Sequence, residues 1–595
     1  PLQRAIVTSG GTMDHRVLEA IIGVALGLLN EGHLAAGLAH AMLVLQIVPD
    51  HPLAANLLTS VMQNPGVPLP LKDTTQPFSR APANAPWRAK FDAALATAAK
   101  AQWARAAELF EALALVAPRA PEVRRNLAVL YANLAEPSRA ASAWRQYAAL
   151  DVPLDDAADA LVLAYYLDGE AKRTMVELIS VPFPIADQEQ LTARLASGHI
   201  VKLSIEGLEW GDSNQPPPRS AHGLLDKPLA RSGVGLPADD VSEVLGRLFI
   251  YGRQTDREAR LELVTYRDQV AAAAAVLAEV AGDALRPAEA ESVLGATSLL
   301  QRTLGASWHL PDDTPAEHAR QLSIERRRKL LTERWLTTTN DLLDGRTPLA
   351  AAAEPGRRAG LLAALRIVDY SLAEPPSPDE SALLRERLGL AADESMEPGQ
   401  TPPAHVPLSR LARLKVETLS DDDLLHAFDR AAFAHVRPAL IKIVDELLAR
   451  PSLEGKVDKA QVLGVLAATE HDAGKALDLI GMARDAAEAA GRSSAPWDLE
   501  ELDLLLAHGE LDAAMQMIQH LQTQHGREPG VMERLLQVLY DAGLVDEHGR
   551  PIQRQRAEPA GLVVPGAAAE PSKLWTPGSE AASGKKATLW TPGTP

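Results

Sequence analysis

The sequence predicts a mainly α chain, a helical-hairpin solenoid in two blocks, with a small α+β insert and a disordered C-terminal tail. Three observations carry that expectation. The windows 87–120 and 121–154 superpose without gaps at a 34-residue period. Residues 199–207 and 259–266 alternate apolar and polar side chains, the period of a half-buried strand. Pro-rich stretches at 64–86 and 397–407 interrupt the helical pattern, because proline removes a backbone donor and clashes with the preceding turn.

These signals divide the chain into degenerate helical repeats (1–63), a Pro-rich linker (64–86), hairpin repeats (87–181), a small α+β module (182–266), a helical region (267–396), a second linker (397–407), C-terminal hairpins (408–548) and a tail (549–595). In the first segment Ala25 sits in one helix, Gly32 at the turn, Gly37 in the next helix and Pro49 at the close. Segment 64–86 reads as an extended linker or a strap across the helices. In the paired windows Arg105-Ala106-Ala107 aligns with Arg139-Ala140-Ala141, Ala94 with Ala128 and Phe110 with Trp144. Small residues then mark helix crossings, and one large residue marks each stacking contact. Strands are expected at 199–207, 247–252 and 259–266, with a charged turn at 254–258 and a long surface loop at 210–237. In the last block Ala476, Ala483, Ala507 and Ala514 are the expected crossing residues.

Composition narrows the function classes. The chain has 595 residues, 46% hydrophobic but only 4% aromatic, so its cores are built from Ala, Leu and Val. A formal charge of −19 argues against a non-specific grip on nucleic acid. The absence of cysteine removes disulfides, thiolate metal sites and Cys nucleophiles. No apolar run is long enough for membrane insertion, and a cytoplasmic location is the expectation.

With Leu127-Ala128, Tyr131, Ala140 and Trp144, and with Pro118 closing the earlier window, 87–154 resembles tetratricopeptide repeats. Leu113 and Tyr147 stand where that family usually has Ala. The likeness extends more loosely to 462–522. The stretch 520–549, with Arg527-Glu528-Pro529-Gly530-Val531, and the doubled Leu-Trp-Thr-Pro-Gly tail look like large bacterial repeat proteins of the planctomycete kind. This likeness implies a tetratricopeptide-like fold and a lineage, and no activity. A second element, Trp335-Leu336 followed by Leu343-Asp344-Gly345-Arg346-Thr347-Pro348-Leu349, resembles part of toxin-binding antitoxin domains. Physically it is a helix end, a Gly turn and a Thr-capped helix starting at Pro348.

The search for chemistry finds no enzyme constellation. No Gly-rich phosphate loop follows a strand, and the look-alike from Gly578 to Lys586 has the wrong spacing. His520 and His525 are one residue too far apart for a helical ligand pair, so they are expected as surface or capping residues, and no metal or cofactor is expected. His33, His40 and His51 read as helix-surface or turn residues. Ser420 followed by three Asp reads as a helix cap, and Arg326-Arg327-Arg328-Lys329 as a solvated helix face. The expected function is non-catalytic: a scaffold or adaptor binding protein partners through a groove that includes Arg124, Asn126 and Tyr131. The paired tail motifs, through Trp575, Pro577, Trp590 and Pro592, supply a second contact, on a partner or on the chain's own groove. The alternatives are an enzyme or ligand-binding protein using 182–266, and an antitoxin-like regulator using 335–349.

Overall fold

A computed structural model describes residues 15–550, apart from 74–75, 170–171, 205–216, 254–257, 306, 373–375, 399–402, 471 and 547. The chain is mainly helical and forms two compact units. One contains the described residues up to Val152 together with Asp393–Arg550; the other is Pro153–Ala392.

The first unit is made of antiparallel helix pairs: His15–Asn30 with Leu34–Ile47, Arg88–Ala99 with Trp103–Val116, Pro121–Asn133 with Pro137–Ala148, Asp421–Phe433 with Arg437–Ala449, Lys459–Ala467 with Ala473–Ala489, and Ala495–Ala507 with Leu511–His520. Five of these pairs turn in the same way. Gly32, Ala101, Ala135, His435 and Gly509, each two residues before the second helix, lie in the left-handed region at φ 81, 56, 60, 55 and 74°. The next amide in each case bonds back five residues, as His33 does to Leu28 (2.8 Å), Glu136 to Tyr131 (2.9 Å) and Glu510 to Leu505 (2.9 Å). This closure satisfies the last helical carbonyls with the chain already reversed. Ala101 and Ala135 occupy the same place in the two aligned windows.

Ala94, Ala106, Ala107, Ala128, Ala140 and Ala141 are all buried, and so are Phe110 and Trp144. Phe110 meets Phe91 edge to face at 5.0 Å. In the last block Ala476, Ala483 and Ala514 are buried, but Ala507 is exposed. The inward row of that helix runs through Leu499, Leu502 and Leu505, which turns Ala507 to the outside. The close approach falls instead at Gly464, where a Cβ would lie 2.2 Å from the Trp497 ring.

Segment 64–86 is not a free linker. Leu69–Lys72 forms a single helical turn, with Pro70 in its first turn where no donor is lost. Met62, with Leu58 and Leu69 against it, belongs to the same core as Val406, Leu411, Leu440 and Ile443. The Leu408 amide donates to Asp73 at 3.2 Å. The two helical blocks therefore share one interior.

The second unit carries a seven-stranded antiparallel sheet: β1 Met175–Pro184, β2 Ile200–Leu203, β3 Ser220–Leu225, β4 Ser242–Tyr251, β5 Arg260–Tyr266, β6 Ser292–Ser298 and β7 Trp308–His309. Its order is β2-β3-β4-β5-β1-β6, with β7 on β4. One face packs Ile179, Leu248, Leu261 and Leu263 against Ala273 and Leu277 of the helix Val270–Ala281. The expected strands at 199–207, 247–252 and 259–266 correspond to β2, β4 and β5, but the sheet runs well beyond 182–266. β1 straddles the expected boundary between the repeats and the module, and Pro182 and Pro184 break its alternating pattern. β3 lies within the expected 210–237 loop, and β6 and β7 within the expected helical region. A second core gathers Trp335, Leu336, Leu343 and Leu365. There Arg366 pairs with both Asp155 and Asp159, tying Arg358–Ser371 to Leu154–Asp168.

Candidate functional site

The helix Pro121–Asn133 begins with Pro121 at its first position, and its face toward segment 76–80 carries Arg125 and Asn126. Asn126 is fully buried. Its Oδ1 accepts the Ser79 amide at 2.7 Å and its Nδ2 donates to the Ser79 carbonyl at 3.1 Å. Both backbone groups of Ser79 are thus met by one side-chain amide. Arg125 donates to the Pro77 carbonyl, to Ser79 Oγ (3.3 Å) and to Gln76 Oε1 (3.3 Å). Residues 76–79 bond to this helix, and Asn126 is spent inside the chain, not left facing an open groove.

Tyr131 is also buried, and its hydroxyl donates to Glu111 Oε1 at 2.9 Å. Arg139 stacks over the ring at 4.0 Å and pairs with the same carboxylate at 2.6 Å. Burial, and then the bond to Glu111, push the phenol up to about 12. This cluster joins Trp103–Val116 to Pro137–Ala148. Arg124, the residue before Arg125, is half-buried. Arg125 and Ser79 were missed by sequence reasoning; only the pairing of a Pro-rich strap with an amide on an inner helix face could have suggested them. Trp575, Pro577, Trp590 and Pro592 lie outside the described residues, as does most of the 254–258 turn.

The histidines of the C-terminal block are arranged differently from the expectation. Leu521–His525 is a π-helical turn continuing Leu511–His520. A π turn bonds i to i+5, so residues five apart come to neighbouring positions. His520 and His525 consequently face each other, ring centroids 5.5 Å apart, beside the buried Asp498. His525 Nδ1 is 2.6 Å from Glu528 Oε1. Asp498 accepts from Ser494 Oγ at 2.9 Å and pairs with Arg484 Nε at 2.7 Å.

Elsewhere, His40 is buried, its Nδ1 2.8 Å from the Ala36 carbonyl, and burial lowers its pKa. Ser420 caps its helix as expected, accepting the Asp423 amide at 3.1 Å. The basic run is not merely a solvated face: Arg326 pairs with Glu243, Arg327 with Glu380 and Lys329 with Asp239. Trp335, Leu336 and Leu343, which carry the antitoxin likeness, are core residues, while Thr347 caps the helix starting at Pro348. In the sheet, His222 Nε2 is 3.0 Å from Ser220 Oγ, and burial followed by Lys202 lowers the imidazole's pKa.

No family model, curated protein or solved structure matches the chain. Among the described residues no helix is long and apolar enough to cross a membrane.

Proposed function

We propose that the chain is a non-catalytic protein-interaction scaffold, a tetratricopeptide-like helical-hairpin solenoid that takes extended peptide segments across the helix Pro121–Asn133. The observation that supports it is the double contact of Asn126 with the Ser79 backbone. A side-chain amide that reads N–H and C=O together holds an extended chain whatever its side chains, and Arg125 adds a cation facing carbonyl and hydroxyl oxygens. The strap occupies this face in the resting chain, so a partner segment exchanges with residues 76–80. The two tail motifs give a second, tethered contact that raises avidity.

The test uses a fluorescent peptide spanning residues 76–82 and the full chain. Replacing 76–80 by Gly and Ser of equal number opens the face, and the peptide should then bind with a measurable anisotropy change. The unaltered chain should bind it at least about 10-fold more weakly, the effect of an intramolecular competitor. Adding Asn126→Ala to the opened chain should abolish binding. No binding to the opened, folded chain would sink the reading.

A further inference from the structure

We propose that Asp498, His520 and His525 form a binding site for a first-row divalent cation of the zinc class. The three side chains come from the helix Ala495–Ala507, the end of Leu511–His520 and the π turn that follows it. Their ligand atoms lie within 4.8 Å of one another. Asp498 Oδ2 is 3.2 Å from His525 Nε2 and 3.6 Å from His520 Nε2. A tetrahedral ion with bonds of about 2.0–2.1 Å has ligand-to-ligand edges of about 3.3 Å, so these separations fit one shared ion.

The surroundings orient the ligands as a metal requires. The Glu528 carboxylate faces His525 Nδ1, so a proton held there would leave Nε2, which is turned toward Asp498, as the ligand atom. Ser494 donates to Asp498 Oδ2, and its hydroxyl oxygen lies 3.2 Å from His525 Nε2. Asp498, only 1% exposed at its side chain, is braced from behind by Arg484, which also pairs with Glu501. Around the site one cation, Arg484, meets three carboxylates, Asp498, Glu501 and Glu528, an acidic excess that favours a cation. His520 is 45% exposed, so the ion's remaining position opens to solvent and to an oxygen or nitrogen ligand. Two imidazoles with one carboxylate suit zinc, cobalt or nickel and not magnesium.

The π turn is the second observation pointing the same way. It departs from α-helical bonding at the place that swings His525 onto His520, and such turns cost regular hydrogen bonding and concentrate at functional sites.

The experiment uses the untagged full chain, stripped with chelator, titrated with Co2+ and Zn2+ and, separately, with Mg2+. One equivalent of Co2+ should give the visible d–d bands of a four- or five-coordinate ion, displaced by Zn2+ and unaffected by Mg2+. His520→Ala, at an exposed position that leaves the core intact, should weaken binding by at least about 10-fold, with helix content unchanged by circular dichroism. Glu528→Gln keeps all three ligands and should weaken binding by about 10-fold, through the loss of orientation at His525. His33→Ala should change nothing. Absence of stoichiometric cobalt bands overturns the proposal. Binding that survives His520→Ala undiminished overturns it equally.

Discussion

Lys72 is 5% exposed, and its ammonium donates to the Met62 carbonyl at 2.7 Å. A carbonyl near a helix C-terminus attracts a cation, but a single neutral acceptor does not replace the water an ammonium gives up. Burial accordingly pushes the group from 10.5 down to about 8. Below pH 8 both folded and unfolded chains hold the proton, and Lys72 adds no slope. Between 8 and 10.5 the unfolded chain holds a proton that the folded chain has released, so stability rises with pH across that window. The urea midpoint of the unmodified chain, compared with Lys72→Met at pH 7, 9 and 10.5, should gain on the variant as pH increases. A constant difference would show that Lys72 keeps its ordinary affinity for the proton. Asn126 works in the opposite way, since its buried amide finds in Ser79 both a donor and an acceptor.

The hairpin turn is the element on which the first unit depends, and it is built with residues of unequal fitness. Gly32 and Gly509 take the left-handed conformation without a Cβ penalty, whereas Ala101, Ala135 and His435 hold it against roughly 1 kcal/mol. Ala101→Gly and Ala135→Gly should therefore each stabilise by up to about 1 kcal/mol, net of the entropy glycine adds to the unfolded chain. Being in separate turns, they should be close to additive. Ala98→Gly, within the helix Arg88–Ala99, should instead destabilise by about 1 kcal/mol or more. Thermal unfolding of the three variants checks this, and stabilisation by all three would undo it. The same turns show what was legible in sequence. The 34-residue match of Ala94 with Ala128 and of Phe110 with Trp144 gave the helix pairs, because packing constrains side-chain size. Among the five left-handed turn positions the sequence marks glycine only at Gly32 and Gly509. The π turn was hidden, because Leu511–His525 has the composition of an unbroken helix and only bonding geometry separates i+4 from i+5. β3 was hidden by the surrounding Pro, Ser and Gly.

At the scale of the whole molecule, the two helical blocks distant in sequence are one folding unit. Met62 lies in the core formed by Val406, Leu411, Leu440 and Ile443, with Leu58 and Leu69 packed on it, and Asp73 bonds the Leu408 amide. Periodicity could place each helix but not its distant partner, since Ala- and Leu-lined faces are alike at both ends of the chain. Burying an aliphatic side chain of this size is worth roughly 1.5–3 kcal/mol, and several such contacts rival the whole stability of a domain. A fragment ending at Val152 should thus expose Leu58, Met62 and Leu69, bind a hydrophobic dye and resist concentration poorly. A fragment of 393–550 should show the matching defect. Mixed or coexpressed, the two should form a 1:1 complex with a higher melting temperature than either alone, because association restores the shared core. Met62→Asp should abolish complex formation by burying an unpaired carboxylate. Residues 153–392, with their own sheet core and the Trp335 cluster, should fold alone. Size-exclusion chromatography of the three fragments decides it: fragments that stay monomeric and fully folded when mixed would mean that the two blocks are independent after all.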